Sequence, residues 1–487
     1  MNSSAPVIAG FTPDPSICRV GDDYYLAASS FEYFPGVPIF HSRDLLRWEQ
    51  IGNVLTRPSQ LDPVGIGSSE GICAPTLRYH DGRFWMVTTN INRFLDGQLI
   101  VHADSPEGPW SEPVHVAGAF GIDPDLAWDD DGNCYLTYTG FAIEGSPAGI
   151  AQARIDPETG TMLADPYPVW PGTGLAHPEG PHLYQVAGIW YLMLAEGGTE
   201  RGHAVTIARG PAPQGPFTPC PDNPILTHRS TTHPVQNTGH ADLVQAADGS
   251  WWAVYLGVRP RGSTPGFHVL GRETFLARVE WRNGWPVVRE PDQPAIPVDH
   301  SFTDDLSVPA LHHRWISPGA DPATVVNGQT LAPSGLLCAR VRDHHWAAQA
   351  TVDLTHGPAR FVLRLDDRHW YGLVAGADEI TAVAQIGDVQ QAVGSVPSPE
   401  GLAVLRIEAV DPAGVGLLGS AVGPDEIVLS AEIDGAVHEL GRLDGRYLST
   451  EVAGGFTGRV LGVGAIDGPT KVVRLAYTAR PSAGGQA

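Results

Sequence analysis

Five segments of the chain share one pattern, a polar turn followed at once by an aromatic-rich strand. They are Gly21-Asp22-Asp23-Tyr24-Tyr25, Asp81-Gly82-Arg83-Phe84-Trp85, Asp131-Gly132-Asn133-Cys134-Tyr135, Ala187-Gly188-Ile189-Trp190-Tyr191 and Asp248-Gly249-Ser250-Trp251-Trp252. Their last aromatic residues are spaced by 60, 50, 56 and 61 residues. A repeat of that length, with several strands in each unit, predicts a five-bladed β-propeller. Such a ring aims equivalent positions of every blade at one axis. Counting back 11 or 12 residues from each marker reaches the preceding strand at Asp14, Cys73, Asp123, Glu179 and His240. Three of these five are carboxylates.

The repeats occupy residues 6 to 297 of a 487-residue chain, so a second domain is expected. A proline-spaced stretch, Pro291-Asp292-Gln293-Pro294-Ala295-Ile296-Pro297, reads as the linker. Beyond it Ile427, Leu429, Ala431 and Ile433 alternate with Ser430, Glu432 and Asp434, and Leu405 and Ile407 alternate with Arg406 and Glu408. That period of two, with further β runs at 361–365, 459–465 and 472–477 and no helical period between them, predicts a two-sheet sandwich. The expected class is therefore all-β, with a propeller over 1–297 and a concanavalin-like sandwich over 298–487. The tail from Pro481 onward reads as frayed.

The net charge of −24 argues against nucleic acid and anionic membranes as partners and suits a neutral small ligand. Five scattered cysteines without a CxxC pair indicate neither a disulfide framework nor a zinc site. The first residues lack the basic and apolar regions of a signal peptide, and no apolar run is long enough to span a bilayer, so the chain reads as cytoplasmic. Homo-oligomerisation is left open.

Four of the five axial positions have proline within two residues, which puts them at strand starts near the channel mouth. Gathering three carboxylates there costs electrostatic energy, so a hard cation or acid/base chemistry must justify it. A calcium cage would take more oxygens from a tight loop, and no Asp-x-Asp-x-Asp-Gly run occurs. Asp129-Asp130-Asp131-Gly132 reads as a solvated turn. Glycoside hydrolysis fits better: one carboxylic acid protonates the departing oxygen, one carboxylate activates water or attacks, and a third raises the pKa of the acid. No cofactor is required for that chemistry. His240 reads as a buried histidine holding a carboxylate, with a single channel ion, Ca2+ for instance, as the alternative. Cys73 reads as a small pocket-lining residue with nothing beside it to activate the thiol.

The motifs Thr12-Pro13-Asp14-Pro15-Ser16, Gly121-Ile122-Asp123-Pro124, Glu179-Gly180-Pro181-His182-Leu183-Tyr184, Ala195-Glu196-Gly197-Gly198-Thr199, Gly271-Arg272-Glu273-Thr274 and Gly455-Phe456-Thr457-Gly458, in this order, resemble the family 43 glycoside hydrolases. The resemblance is to their β-xylosidase branch with a C-terminal sandwich, and it covers nearly the whole chain. It implies an inverting, exo-acting enzyme that releases terminal xylose from β-1,4-xylo-oligosaccharides. Asp14 matches the general base, Glu179 the general acid, and Asp123 the third carboxylate that orients the acid. Asp125 matches no catalytic position. Thr199 and Arg272 match sugar-contacting positions, Phe31 an aromatic wall, and Phe456 a residue of the sandwich that closes one end of the pocket. Cys73, Ala74 and His240 complete the expected substrate-binding set.

The family often carries a bulky aromatic where this chain has Cys73. Packing differences of that kind discriminate sugars by only about 1–3 kcal/mol, so α-L-arabinofuranosidase or dual activity is the alternative. A retaining fructosidase-type propeller would show Arg-Asp-Pro and Glu-Cys motifs, which are absent. A non-catalytic carbohydrate-binding propeller would repeat aromatic sites at every blade rather than place acids unequally at the axis.

Overall fold

Every aromatic marker falls in the second strand of its own antiparallel sheet in the computed structural model, which describes residues 5–143, 147–290, 296–308, 310–333, 335–414 and 421–480. The expected linker, apart from Ile296 and Pro297, and the frayed tail lie outside the described residues. The turns explain the registers. Asp81-Gly82 and Ala187-Gly188 both take positive φ at both positions, the geometry of a two-residue hairpin turn, and they pair His80 with Arg83 and Val186 with Ile189.

The lead strands of the five sheets are Ser16–Val20, Ile72–His80, Gly121–Trp128, Glu179–Val186 and Gln236–Gln245. Four sheets have four strands, and the third has five. Each lead strand touches the next, and the fifth touches the first, so the contacts form a closed cycle. The N-terminal segment latches the closure: Val7 N–H donates to Thr274 O at 2.9 Å and Thr12 N–H to Arg272 O at 3.0 Å. The marker aromatics fill the gaps between sheets. Tyr25 meets Phe84 edge-on at 5.1 Å, Trp85 meets Trp128 at 6.0 Å, and Tyr191 meets Trp281 at 5.0 Å. Such pairs contribute about 0.5–1.5 kcal/mol beyond their burial.

Past residue 300 the pairing changes. One eight-stranded sheet includes Trp346–Asp353, Leu402–Val410, Glu426–Ile433 and Thr470–Ala479; a six-stranded sheet includes Ala359–Asp366, His369–Ala375 and Val460–Ala465. Leu405, Ile407, Ile427 and Leu429 from the first share one core with Phe361, Leu363, Leu373 and Val463 from the second. The chain is all-β; among the described residues its α-helices are the four-residue turns Pro322–Val325 and Thr450–Ala453.

The two parts are joined at the connection between the second and third strands of the first sheet. Ser317–Pro318 pairs with Tyr33–Phe34, and Arg364 donates to Tyr33 Oη at 2.6 Å and to Glu32 Oε1 at 3.3 Å. The loop after Thr450–Ala453 is held by two further anchors. His268 Nδ1 lies 2.6 Å from Glu451 Oε1, and Phe456 N–H donates to Ser69 Oγ at 2.9 Å.

Candidate active site

A left-handed residue stands at or just before the start of the regular pairing in each lead strand: Asp14, Ala74, Asp123, Gly180 and His240, with φ between 45° and 56°. In the last four the pairing register slips at that residue, as a bulge requires. Aspartate tolerates this conformation better than most residues. At position 180 glycine is favoured by the left-handed φ of 56° and because an added Cβ would lie 3.2 Å from the His240 ring, a tight contact. The bulge changes the phase read from the sequence. The equivalents of Asp14, Asp123 and His240 are Ala74 and Gly180, with Cys73 and Glu179 one residue earlier. His240, the one axial position without a nearby proline, is the fifth residue of its strand.

Asp14 is buried and fully engaged. Its Oδ2 accepts from Ser29 Oγ at 2.5 Å, its Oδ1 from Arg272 Nη1 at 2.9 Å, and His240 Nδ1 stands 3.6 Å away. Ser29 Oγ in turn accepts from Ala74 N–H at 2.7 Å, so Ala74 contributes its backbone. Burial pushes the Asp14 carboxyl up, but Arg272, His240 and the Ser29 hydrogen bond outweigh it and leave it below the usual range. Glu179 has the opposite balance: burial and the Asp14 charge raise it to about 7 against the opposing pull of Arg272. Asp123 is also raised to about 7, by burial and by Glu179 and Asp14 against His240, and its Oδ2 accepts from Gly180 N–H at 3.1 Å. Glu179 and Asp123 therefore titrate as a pair, and Asp123 pins the backbone next to Glu179.

The remaining expected residues gather around this trio. Arg272 Nη1 also donates to Thr199 Oγ1 at 3.1 Å, and its guanidinium lies 5.7 Å from the Phe31 ring and 5.4 Å from the Phe456 ring. Phe31 and Phe456 stack at 5.8 Å with 20° between planes. Thr199, Arg272 and Phe456 line a cavity of about 850 Å³ together with His177, Gly198 and Gly455. Burial, then the charges of Asp123 and Asp14, push the Cys73 thiol well above its ordinary value, so it stays protonated.

Several contributors were not foreseen. His203, whose pKa burial lowers to about 4, carries charge only at acid pH, and there it adds to the lowering of Asp14. Two residues beyond each left-handed position lies a second buried layer: Ser16, Thr76, Asp125, His182 and Asp242. Arg78 ties it together, donating to Asp125 Oδ1 and Asp242 Oδ2 at 2.7 Å each and lying 2.9 Å from His182 Nδ1. This layer gives Asp125 a structural task. It also places guanidinium-paired carboxylates and the His182 imidazole two residues beyond His240 and its equivalents. An ion beside His240, Ca2+ for instance, would find the carboxylates of this layer already paired with Arg78.

The raised pair predicts a stability signature. Both carboxyls have folded pKa values above their ordinary ones, so the native state binds more protons than the unfolded state between about pH 4 and 7. Stability from this source is present at the acid end of that window and is lost as pH rises through about 7. Asp123→Asn removes one of the two, so its Tm relative to wild type should be higher at pH 8 than at pH 5. A pH-independent difference would contradict the assignment.

Residues 3–286 match the model of glycosyl hydrolases family 43. A non-reducing end α-L-arabinofuranosidase of Bacteroides ovatus is 37% identical, covering 94% of this chain and 90% of its own. A xylosidase/arabinosidase of Butyrivibrio fibrisolvens is 48% identical over 64% of this chain and 59% of its own. Among solved structures, the xylan β-1,4-xylosidase of Bacillus halodurans superposes with a TM-score of 0.86 at 29% identity, covering 98% of this chain and all of its own.

Proposed function

The chain belongs to family 43 of the glycosyl hydrolases, and from that premise we propose that it is an exo-acting, inverting β-xylosidase that releases terminal xylose from β-1,4-xylo-oligosaccharides. The observation that carries the reading is the split between two carboxyls at one site, Asp14 held low and Glu179 raised to about 7. Environments that push a pair apart in this way assign base and acid. In this reading the five sheets are the blades of a propeller over 1–297, and residues 298–487 form a sandwich that closes the pocket. The cyclic contacts of the lead strands and the shared core of the two later sheets support both assignments.

Asp14 takes a proton from water as the water oxygen attacks the anomeric carbon. The glycosidic C–O bond breaks, and Glu179 gives its proton to the leaving oxygen. The sugar departs with inverted configuration, and the proton gained by Asp14 returns to solvent as Glu179 is reprotonated. Asp123 orients Glu179 through Gly180. Arg272 keeps Asp14 ionised and lines the pocket where a sugar hydroxyl would lie. Phe456 lines the pocket with Phe31 stacked against it, which favours cleavage at a chain end.

Arabinofuranosidase action is the second reading, favoured by Cys73, whose small side chain leaves room for a differently shaped pentose. Comparing kcat/KM on nitrophenyl β-xyloside and nitrophenyl α-arabinofuranoside separates the two, with the xyloside expected to lead. Proton NMR of the first sugar released should show the anomer opposite to the substrate's. Retention would overturn the inverting assignment.

A further inference from the structure

The fifth sheet carries a cluster that this reaction does not use. His228 and His233 lie on the loop leading into the strand Gln236–Gln245, and Glu290 directly follows Trp285–Arg289, the last strand of the same sheet. His228 Nε2 stands 2.9 Å from Glu290 Oε2 and His233 Nε2 stands 3.9 Å from it. All three donor atoms lie within 4.8 Å of one another, the only such His, Cys, Asp or Glu set among the described residues. None of the three lines the pocket beside Arg272.

The surroundings orient these atoms as ligands. His228 Nδ1 faces the Val235 carbonyl at 2.8 Å, so a ring proton sits there, and Nε2 carries a lone pair in the neutral ring. Nε2 meets a carboxylate oxygen at 2.9 Å, a contact that either a second ring proton or a metal ion must bridge. His233 Nδ1 lies 3.1 Å from the same carbonyl and accepts from the Val235 N–H at 3.2 Å, so its ring proton sits on Nε2 and a metal bound there would take the place of that proton. Tyr255 Oη donates to the other oxygen of Glu290 at 2.8 Å and fixes the carboxylate plane. Hydrogen-bonded imidazoles and a tethered carboxylate are the outer support that metal ligands ordinarily have. The loop is braced as well, with His228 O accepting from Thr231 Oγ1 at 2.7 Å and His233 O from Gln236 Nε2 at 2.7 Å.

We propose that His228, His233 and Glu290 are the protein ligands of a divalent transition-metal site, zinc by its donor set, that staples the loop before the His240 strand to the end of the fifth sheet. Bonds of about 2.0–2.1 Å in a tetrahedron separate neighbouring ligand atoms by about 3.3 Å. The observed 2.9 Å and 3.9 Å bracket that spacing, and the two imidazole rings, now packed at 3.9 Å between centroids, would splay for both Nε2 atoms to reach one ion. Two imidazole nitrogens select against calcium and magnesium. The partial exposure of His233 and Glu290 gives the ion a route in and leaves the fourth position to water.

The full chain, stripped with a chelator, is titrated with Zn2+ by calorimetry and with Co2+ by visible absorption. The expected result is one tight equivalent, the intense visible bands of four-coordinate Co2+, and a Tm that rises by a few degrees with Zn2+ in large excess over Kd. His233→Ala and Glu290→Gln should each weaken this binding at least about tenfold and abolish the Tm rise, with kcat on nitrophenyl β-xyloside retained. The isosteric Glu290→Gln carries the test if His233→Ala does not fold. No stoichiometric binding, binding equal in wild type and Glu290→Gln, or an equal response to Ca2+ would overturn the proposal.

Discussion

Asp14→Asn is expected to lower kcat by about 10²–10⁴ on nitrophenyl β-xyloside and on xylobiose alike. A base that activates water is needed whatever the leaving group, so the loss should not depend on the aglycone. The substitution is close to isosteric and keeps an oxygen for the Ser29 hydroxyl, but it removes the charge that pairs with the buried Arg272 guanidinium. Leaving a buried cation unpaired costs several kcal/mol, so some fall in Tm is expected alongside the kinetic effect. The two consequences can be told apart. A purely structural role would reduce the amount of folded enzyme without changing kcat per folded active site, which titration with a tight-binding iminosugar would reveal. A loss on xylobiose alone, with the aryl glycoside spared, would contradict the base assignment.

The periodicity that led to Asp14 was legible because hairpin chemistry and inter-sheet aromatics are local properties. Asp81-Gly82 needs its turn and Tyr191 needs its neighbours, and both leave marks in the sequence. The bulges were not legible. Each inserts one residue into the strand pairing, and counting from an aromatic cannot tell Glu179 from Gly180 or Cys73 from Ala74. The carboxylates were found because two of the three occupy the left-handed position and the third lies one residue away. Ser29 and His203 carry no such phase. They sit in ordinary-looking runs, and only tertiary structure brings Ser29 between Asp14 and the Ala74 amide. Arg78 was missed for a related reason: it lies four residues past Ala74, and its partners come from three other sheets. Phe456 was reached through the family resemblance. Its stacking on Phe31, some 400 residues earlier in the chain, depends on how two sheet systems join.

Glu179→Ala should separate substrates by leaving group. Xylobiose expels a sugar alkoxide that must be protonated, and general acids contribute about 10²–10⁴ to such steps. Dinitrophenolate departs without help, so the same variant should lose little of the chemical step on dinitrophenyl β-xyloside. The pH profile supplies an independent readout. In the wild type kcat/KM on xylobiose should fall above about pH 7, as Glu179 and Asp123 give up the proton they hold through burial and the charge of neighbouring carboxylates, Asp14 among them. The acid limb should lie at or below the ordinary carboxylate range, because Arg272, His240 and Ser29 keep Asp14 ionised. Removing Glu179 should flatten the basic limb on the activated substrate and leave the acid limb where it was. Asp123→Asn should instead retain a basic limb and move it, since Glu179 then titrates without a coupled neighbour. Equal losses on both substrates, or a basic limb unchanged in Glu179→Ala, would place the proton donor elsewhere in the pocket.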